Sequence, residues 1–298
     1  MSHHSTRCIL FSAMLLVVLS VCAIVVNLFV YHFPGNNYFP PATAYIGLTL
    51  ILMYSGSSLI FSINGQLTKG LKELIYFFLI MSIIALATNA SQYTPFPTID
   101  NKILTIEHSF HIDIKHIISW THTRPYFKTV LAFIYDTLPY QMAYLPLFMI
   151  AMKQLQHLRE YYFLLLISTI IGFTFYYFFP TTAPASIISS SYFSSSQIAT
   201  GLKFIEIHQH IQPTTIEGGM IALPSFHAIW AWLCLYLLRG FPIAFMIMLP
   251  INLLLVSSCV LLGWHYPVDI LGAMVVVVLS HGIYYFCRLS RPLIHHPH

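Results

Sequence analysis

The sequence predicts an all-α fold, a polytopic bundle of about eight membrane-spanning helices. Three observations carry that prediction. Of the 298 residues, 57% are hydrophobic and 7% are charged, whereas a soluble domain carries about 25% charged residues. The apolar residues gather into seven or eight runs of roughly 16 to 23 residues, close to the ~20 needed to cross a bilayer. The few cations also fall in a pattern. With the N-terminus in the cytoplasm and the spans alternating, Arg7, Lys69, Lys72, Lys153, Arg159, Arg239, Arg288 and Arg291 lie inside. Lys102, Lys115, Arg124, Lys128 and Lys203 lie outside, all in two long loops. Every Lys or Arg near a short loop is then cytoplasmic, as the positive-inside rule requires.

In chain order the expected spans are 9–31, 43–63, 72–89, 138–153, 161–179, 222–238, 241–262 and 267–287. The first follows Arg7 and lacks a small-residue cleavage site, so a retained helix is expected rather than a signal peptide. The fourth is the shortest. Residues 90–137 form an extracytoplasmic loop. Within it Ile112, Ile114, Ile117, Ile118 and Trp120 recur at helical spacing, which predicts an amphipathic helix in the interface. Residues 180–221 form a second such loop, rich in Ser, Thr and Pro. Both termini are expected in the cytoplasm. The chain divides into N-terminal transmembrane helices, 1–66, and a membrane-embedded core, 67–298.

Several function classes find no support. No basic cluster suits nucleic acid. The five cysteines (Cys8, Cys22, Cys234, Cys259, Cys287) lie in or beside apolar runs, with no zinc or disulfide spacing. The sixteen histidines include His108, His111, His116 and His122 in one segment and His208 and His210 in another, but no metal-binding motif. His4, His295, His296 and His298 belong to the tails. No cofactor or metal is expected.

Three segments place polar residues where lipid-bound helices begin or end. In IALPSFHAIWAW, Pro224, Ser225 and His227 open a span. In GWHYPVDILGA, His265 and Asp269 stand four residues apart, a spacing that stacks side chains on one helix face. A carboxylate there can orient one imidazole nitrogen and leave the other free and more basic. Asp269 is the only acid between 241 and 287, and an ionisable residue at a span edge is costly and usually functional. The 38 residues between His227 and His265 are one helix across and one back, so both histidines reach the same surface. Both sit at helix N-termini, where Pro224 and Pro267 suit the first turn and unpaired N–H groups favour an anion, phosphate above all. YYFFPTTAPA ends the fifth span on that side, with Thr181 and Thr182 at its mouth. One histidine can attack phosphorus while the other protonates the departing oxygen.

PSFH together with HYPVD resembles the type 2 phosphatidic acid phosphatase superfamily, whose second motif is P-S-G-H and whose third is S-R-x5-H-x3-D. The resemblance implies a six-helix phosphatase-like core over about 72–287 that works without metal. It implies His265 as the nucleophile forming a phosphohistidine, Asp269 as its orienting acid, His227 as general acid, and Ser225 holding the phosphate, with Pro224 and Tyr266 beside them in the motifs. The chain departs from the pattern at three points. Cys259 stands where the family keeps arginine, Phe226 replaces the motif glycine, and the first motif, K-x6-R-P, is absent. Arg124-Pro125 follows Lys115 by nine residues instead. In these losses the chain looks like the branch of inositol phosphorylceramide synthase, which keeps P-S-x-H and H-Y-x-x-D. FFPTTAPA resembles that branch's proline-bearing segment, and Leu138–Tyr140 its helix start. Arg124, Lys128, Lys203, His208 and His210 are the candidates to neutralise the phosphate.

The expectation is a membrane enzyme of lipid phosphate chemistry, moving a phosphoryl head group between lipids at the extracytoplasmic surface. Its partners are the bilayer and a phospholipid or lipid phosphate substrate, held by an apolar cleft between helices. A phosphatase acting on a lipid phosphate or prenyl diphosphate shares the same intermediate and stays open. A non-catalytic transporter or structural protein is the rival from another class; no repeated halves and no charge deep within a span speak for it.

Overall fold

The computed structural model describes residues 3–35, 37, 39–219 and 221–289, without the side chains of 3–5 and 289. Arg291 and the tail histidines His4, His295, His296 and His298 lie outside the residues or side chains described. Among the described residues the regular structure is all helix, without strands. Thirteen helices follow one another: α1 His3–Val25, α2 Thr43–Phe61, α3 Gln66–Ser91, α4 Asp100–Ser109, α5 Ile114–His122, α6 Pro125–Tyr135, α7 Leu138–Ala151, α8 Leu155–Phe178, α9 Pro184–Ile187, α10 Ser195–His208, α11 Phe226–Leu237, α12 Pro242–Leu261 and α13 Pro267–Leu289. Five π-helical residues, Val26–Val30, continue α1.

Six helices among the described residues are long and apolar enough to cross a membrane: α1 with its extension, α2, α3, α8, α12 and α13. The two other expected spans fold as shorter helices. α7 has 14 residues and α11 has 12. At 1.5 Å per residue these reach only about 21 Å and about 18 Å. The run of α11 looks longer in the sequence because the residues ahead of it are apolar too: Ile221, Ala222 and Leu223 are buried without being helical.

Burial explains the arrangement. α8 is buried on nearly every face, from Leu158 and Tyr161 to Phe173 and Tyr176, and is the hub. α1, α3, α11 and α13 pack around it, and α12 packs on α11. α2 touches α3 and exposes all but one or two faces to the surroundings; Ser57 is its buried residue, bonded to Thr68 at 2.8 Å. The loop 90–137 is three helices rather than one. The expected amphipathic stretch becomes α5, whose Ile114 and Ile118 are buried with Ile103, Phe193, Leu223 and Tyr266 in a small second core. That core lies at the end of the bundle where α8 finishes and α11 and α13 begin. The opposite end holds two ion pairs, Arg159–Glu73 and Arg239–Glu160.

Candidate active site

The chain reaches the site through two tight passages. α12 ends on Gly263, which has φ of +83°; its N–H donates to the Val260 carbonyl, and the Trp264 N–H to the Cys259 carbonyl. A left-handed glycine closing a helix in this way satisfies carbonyls left free at its end. Here the space is also taken, since a Cβ would lie 2.5 Å from Ile118. The turn delivers His265, whose own N–H donates to Cys259 at 2.9 Å. Pro267 then opens α13. Ahead of α11, the Leu223–Pro224 bond is cis. Pro224 lies outside the helix, two residues before its start, and Ser225 is the N-cap, its hydroxyl accepting from the Ala228 N–H at 3.4 Å. The expected first-turn proline is therefore an entry residue.

Glycines on two neighbouring helices make room for this entry. A Cβ on Gly172 of α8 would meet Phe226 at 2.7 Å and Pro224 at 3.1 Å; one on Gly272 of α13 would meet Leu223 at 2.7 Å. Phe226, in the place of the motif glycine, uses that room and packs edge-on against Phe173 at 4.8 Å.

The structure brings the three chemistry-bearing residues together. His265 Nδ1 donates to Asp269 Oδ2 at 3.1 Å, and the Tyr266 N–H donates to the same oxygen at 2.9 Å. His265 and Asp269 are both buried. The His227 and His265 rings meet edge to face with centroids 5.8 Å apart. The Ser225 N–H donates to the Asp269 carbonyl at 3.1 Å, tying the starts of α11 and α13 together. Burial pushes the His265 imidazole down to about 4, against a smaller upward pull from the Ala222 backbone. The ring is thus neutral near pH 7, as a nitrogen nucleophile must be.

Around this centre stand two buried acids that the sequence did not single out. Asp100 accepts from the Thr182 N–H at 2.9 Å and the Thr182 hydroxyl at 3.0 Å. Glu107 accepts from the Val268 N–H in the first turn of α13 at 3.1 Å. Burial pushes both carboxyls up, and these hydrogen bonds pull them back. Tyr266 is buried beside them, its phenol pushed up first by burial and then by Asp100, Asp269 and Glu107. Thr181 is equally committed, its hydroxyl accepting from the Leu223 N–H at 2.9 Å. The threonines expected at the mouth are buried braces of the Pro224 segment and of α4.

The candidate cations separate. Arg124 bonds to the Trp120 carbonyl and the Thr123 hydroxyl and stacks over Trp120. Lys203 is buried, donates to the Gly218 carbonyl at 2.9 Å, and is pushed down by burial to about 8. His208 meets the Tyr176 hydroxyl, and His210 stacks on Phe33 at 3.9 Å. Lys128 donates to His122 Nδ1 at 3.0 Å, and these two line a cavity of about 280 Å³ whose walls mix polar and apolar side chains. Tyr135 and Trp264, neither expected from sequence, form its wall toward His227. Cys259, in the place of the missing arginine, is buried with its thiol against Ser225. Among the described residues, no group of three or more His, Cys, Asp or Glu side chains could hold a metal.

Two histidines and an aspartate meet at converging helix starts inside a membrane-type bundle. The family comparison agrees: the model described as the PAP2 superfamily matches residues 101–283, more than half the chain, and the chain belongs to that superfamily. It is a membrane protein of the phosphatase and phosphotransferase type acting on lipid phosphates. No curated protein and no solved structure matches it.

Proposed function

We propose that this protein transfers a phosphoryl-bearing head group between lipids through a phosphohistidine on His265. The observation that supports it most is the pairing of a buried His265–Asp269 hydrogen bond with a second imidazole, His227, at 5.8 Å between ring centroids. Asp269 occupies Nδ1, so Nε2 is the nitrogen that acts as nucleophile. Nε2 attacks the phosphorus, the bond to the donor lipid's oxygen breaks, and His227 gives its proton to that oxygen. An acceptor hydroxyl then attacks the phosphorus. The P–N bond breaks, and His227 takes the hydroxyl's proton. The starts of α11 and α13 supply backbone N–H groups to the charge that spreads over the phosphoryl oxygens.

Two cavities fit the two halves of such a substrate. The one bordered by the polar side chains of Lys128, His122, Asp136 and Tyr192 receives the head group, which makes Lys128 the best placed of the candidate cations. An apolar one of about 280 Å³ between α1, α3 and α8, lined by Leu16, Ala87 and Phe173, suits a lipid chain; Phe173 links it to Phe226 in the site motif. The site faces the extracytoplasmic side, with both termini cytoplasmic, because the short-loop cations gather at the other end of the bundle. Residues 1–66 shape the lipid cleft, and the rest performs the chemistry.

Hydrolysis is the second reading, favoured by the same residues, since water can replace the acceptor alcohol. Lipid mass spectrometry decides. Membranes holding the protein, or His265→Ala, are given phospholipids, lipid phosphates and candidate acceptor alcohols in the presence of a chelator. A new phosphoryl-bearing lipid that requires His265 is the expected result. Release of inorganic phosphate alone replaces transfer with hydrolysis. Identical spectra from both proteins, or activity that the chelator abolishes, count against the reading altogether.

A further inference from the structure

The two histidines are held in different ways. His265 has a carboxylate on Nδ1. Among the described residues no hydrogen bond reaches the His227 ring; what touches it are rings. Tyr135, the last residue of α6, lies nearly parallel to His227 with centroids 4.5 Å apart and planes 16° apart. Tyr135 also stacks on Trp264, at 5.4 Å and 4°. Trp264 is the chain neighbour of His265, and His265 closes the circuit by meeting His227 edge-on.

We propose that Tyr135 and Trp264 form an aromatic bracket that holds the His227 imidazole at its working orientation beside His265. Tyr135 is then a positioning residue of the proton-transfer half of the reaction. This rests on the phosphohistidine reading above.

The physical reason lies in what His227 must do. It changes charge twice in each cycle, donating a proton and then accepting one. A carboxylate partner would favour the charged ring. An aromatic face accepts a neutral imidazole by stacking and an imidazolium by its quadrupole, so it can fix the ring in both states. A bracket also fixes orientation at little cost, because Tyr135 and Trp264 are themselves held by α6, α12 and the turn at Gly263. General acid catalysis needs the donor within hydrogen-bond reach of the oxygen, so an imidazole free to rotate loses most of its effect. The cavity that Lys128 lines lies against the same two rings.

The test varies how much the leaving group needs a proton. Full-length protein in detergent–lipid micelles is given two probes, hexadecyl 4-nitrophenyl phosphate and hexadecyl ethyl phosphate. The nitrophenolate departs unaided; the ethoxide needs His227. Tyr135→Phe keeps the ring face and is expected to stay within threefold of wild type on both. Tyr135→Leu is expected to lose at least twentyfold in kcat on the ethyl ester, with a loss at least five times smaller on the nitrophenyl ester. If Tyr135→Leu does not fold, judged by its thermal unfolding, Trp264→Leu is read against Trp264→Phe by the same ratio. Equal losses on both esters, or no loss on the ethyl ester, overturn the bracket while leaving the phosphohistidine intact. Full turnover by His265→Ala, or no cleavage of either ester by wild type, overturns the phosphohistidine reading and the bracket with it.

Discussion

The two ends of the bundle bury carboxylates in opposite ways. At the far end from the site, Glu73 and Glu160 are buried and each meets an arginine, Arg159 and Arg239; Glu160 also accepts from the Tyr236 hydroxyl at 2.8 Å. At the histidine end, Asp100, Glu107 and Asp269 are buried as well. Yet among the described residues no lysine or arginine forms an ion pair with them. Backbone N–H groups and a hydroxyl hold them instead. A carboxylate neutralised by arginine is a brace, because its charge is spent. One held by neutral donors keeps its pull on a nearby proton, at the cost of desolvation. Arginines hold the buried carboxyls at one end, and neutral donors hold them at the other.

The sharpest way to break this comparison is Asp269→Asn. The amide can keep a hydrogen bond to His265 but loses the charge and can present the wrong group to Nδ1. Loss of an oriented acid–base partner costs about 10²- to 10⁴-fold in rate, and a loss of that size is expected in single turnover. Thermal stability should change little by comparison. A rate within threefold of wild type would mean that the His265–Asp269 bond is architectural like the pairs at the other end.

Arg239→Ala tests the other half of the contrast. Removing one member of a buried ion pair costs about 3–5 kcal/mol, and somewhat less is expected here because the Arg239 side chain is 25% exposed. The measurement is unfolding in micelles beside the specific activity of the folded fraction. Stability should fall and specific activity should not. A folded variant with its activity lost would move chemistry to the wrong end of the bundle.

Much of this was legible in the sequence, for physical reasons. Composition and apolar runs dictated helices in lipid, and the spacings 224–227 and 265–269 pointed to three side chains that the fold brings together, because helix geometry is local. What stayed hidden is what depends on long-range packing. Asp100 and Glu107 sit among ordinary loop residues, and nothing in their neighbourhood says that Thr182 and Val268 will meet them. Tyr135 carries no motif; only the docking of α6 on α12 brings it to His227. The brevity of α11 was masked by apolar residues ahead of it that are buried yet not helical, since hydropathy reports burial and not backbone conformation. Phe226 reads as damage to a motif until Gly172 is seen opposite it.

Glu107→Gln is expected to have an intermediate effect. The Val268 N–H keeps an acceptor in the amide, but the negative charge at the start of α13 is gone. A charge at a helix N-terminus is worth about 0.3–1 kcal/mol, so unfolding should shift by that order, with a rate loss of a few fold through Asp269. Glu107→Ala leaves the N–H without a partner and should cost more, about 1–3 kcal/mol. If both variants match wild type in stability and rate, Glu107 belongs with the braces.

The smallest expected effect is a response to pH that hardly appears. An ordinary histidine, near 6.5, would be mostly protonated at pH 5.5 and would lose most of its nucleophilicity there. His265 is pushed down to about 4 by burial. Its Nε2 is therefore still unprotonated at pH 5.5, and the nucleophilic limb of kcat/KM on hexadecyl 4-nitrophenyl phosphate, whose leaving group needs no acid, should stay flat from pH 7 to about 5.5. It should fall only toward pH 4. Stability moves in the same window with a definite sign. The folded state resists protonation of His265 more than the unfolded chain does, so its contribution is complete above about 6.5 and is lost as pH falls from there toward 4. A limb with its midpoint near 6.5 would mean that His265 is solvated when it reacts. The contrast between the two ends would then lie in hydration rather than in how their carboxylates are held.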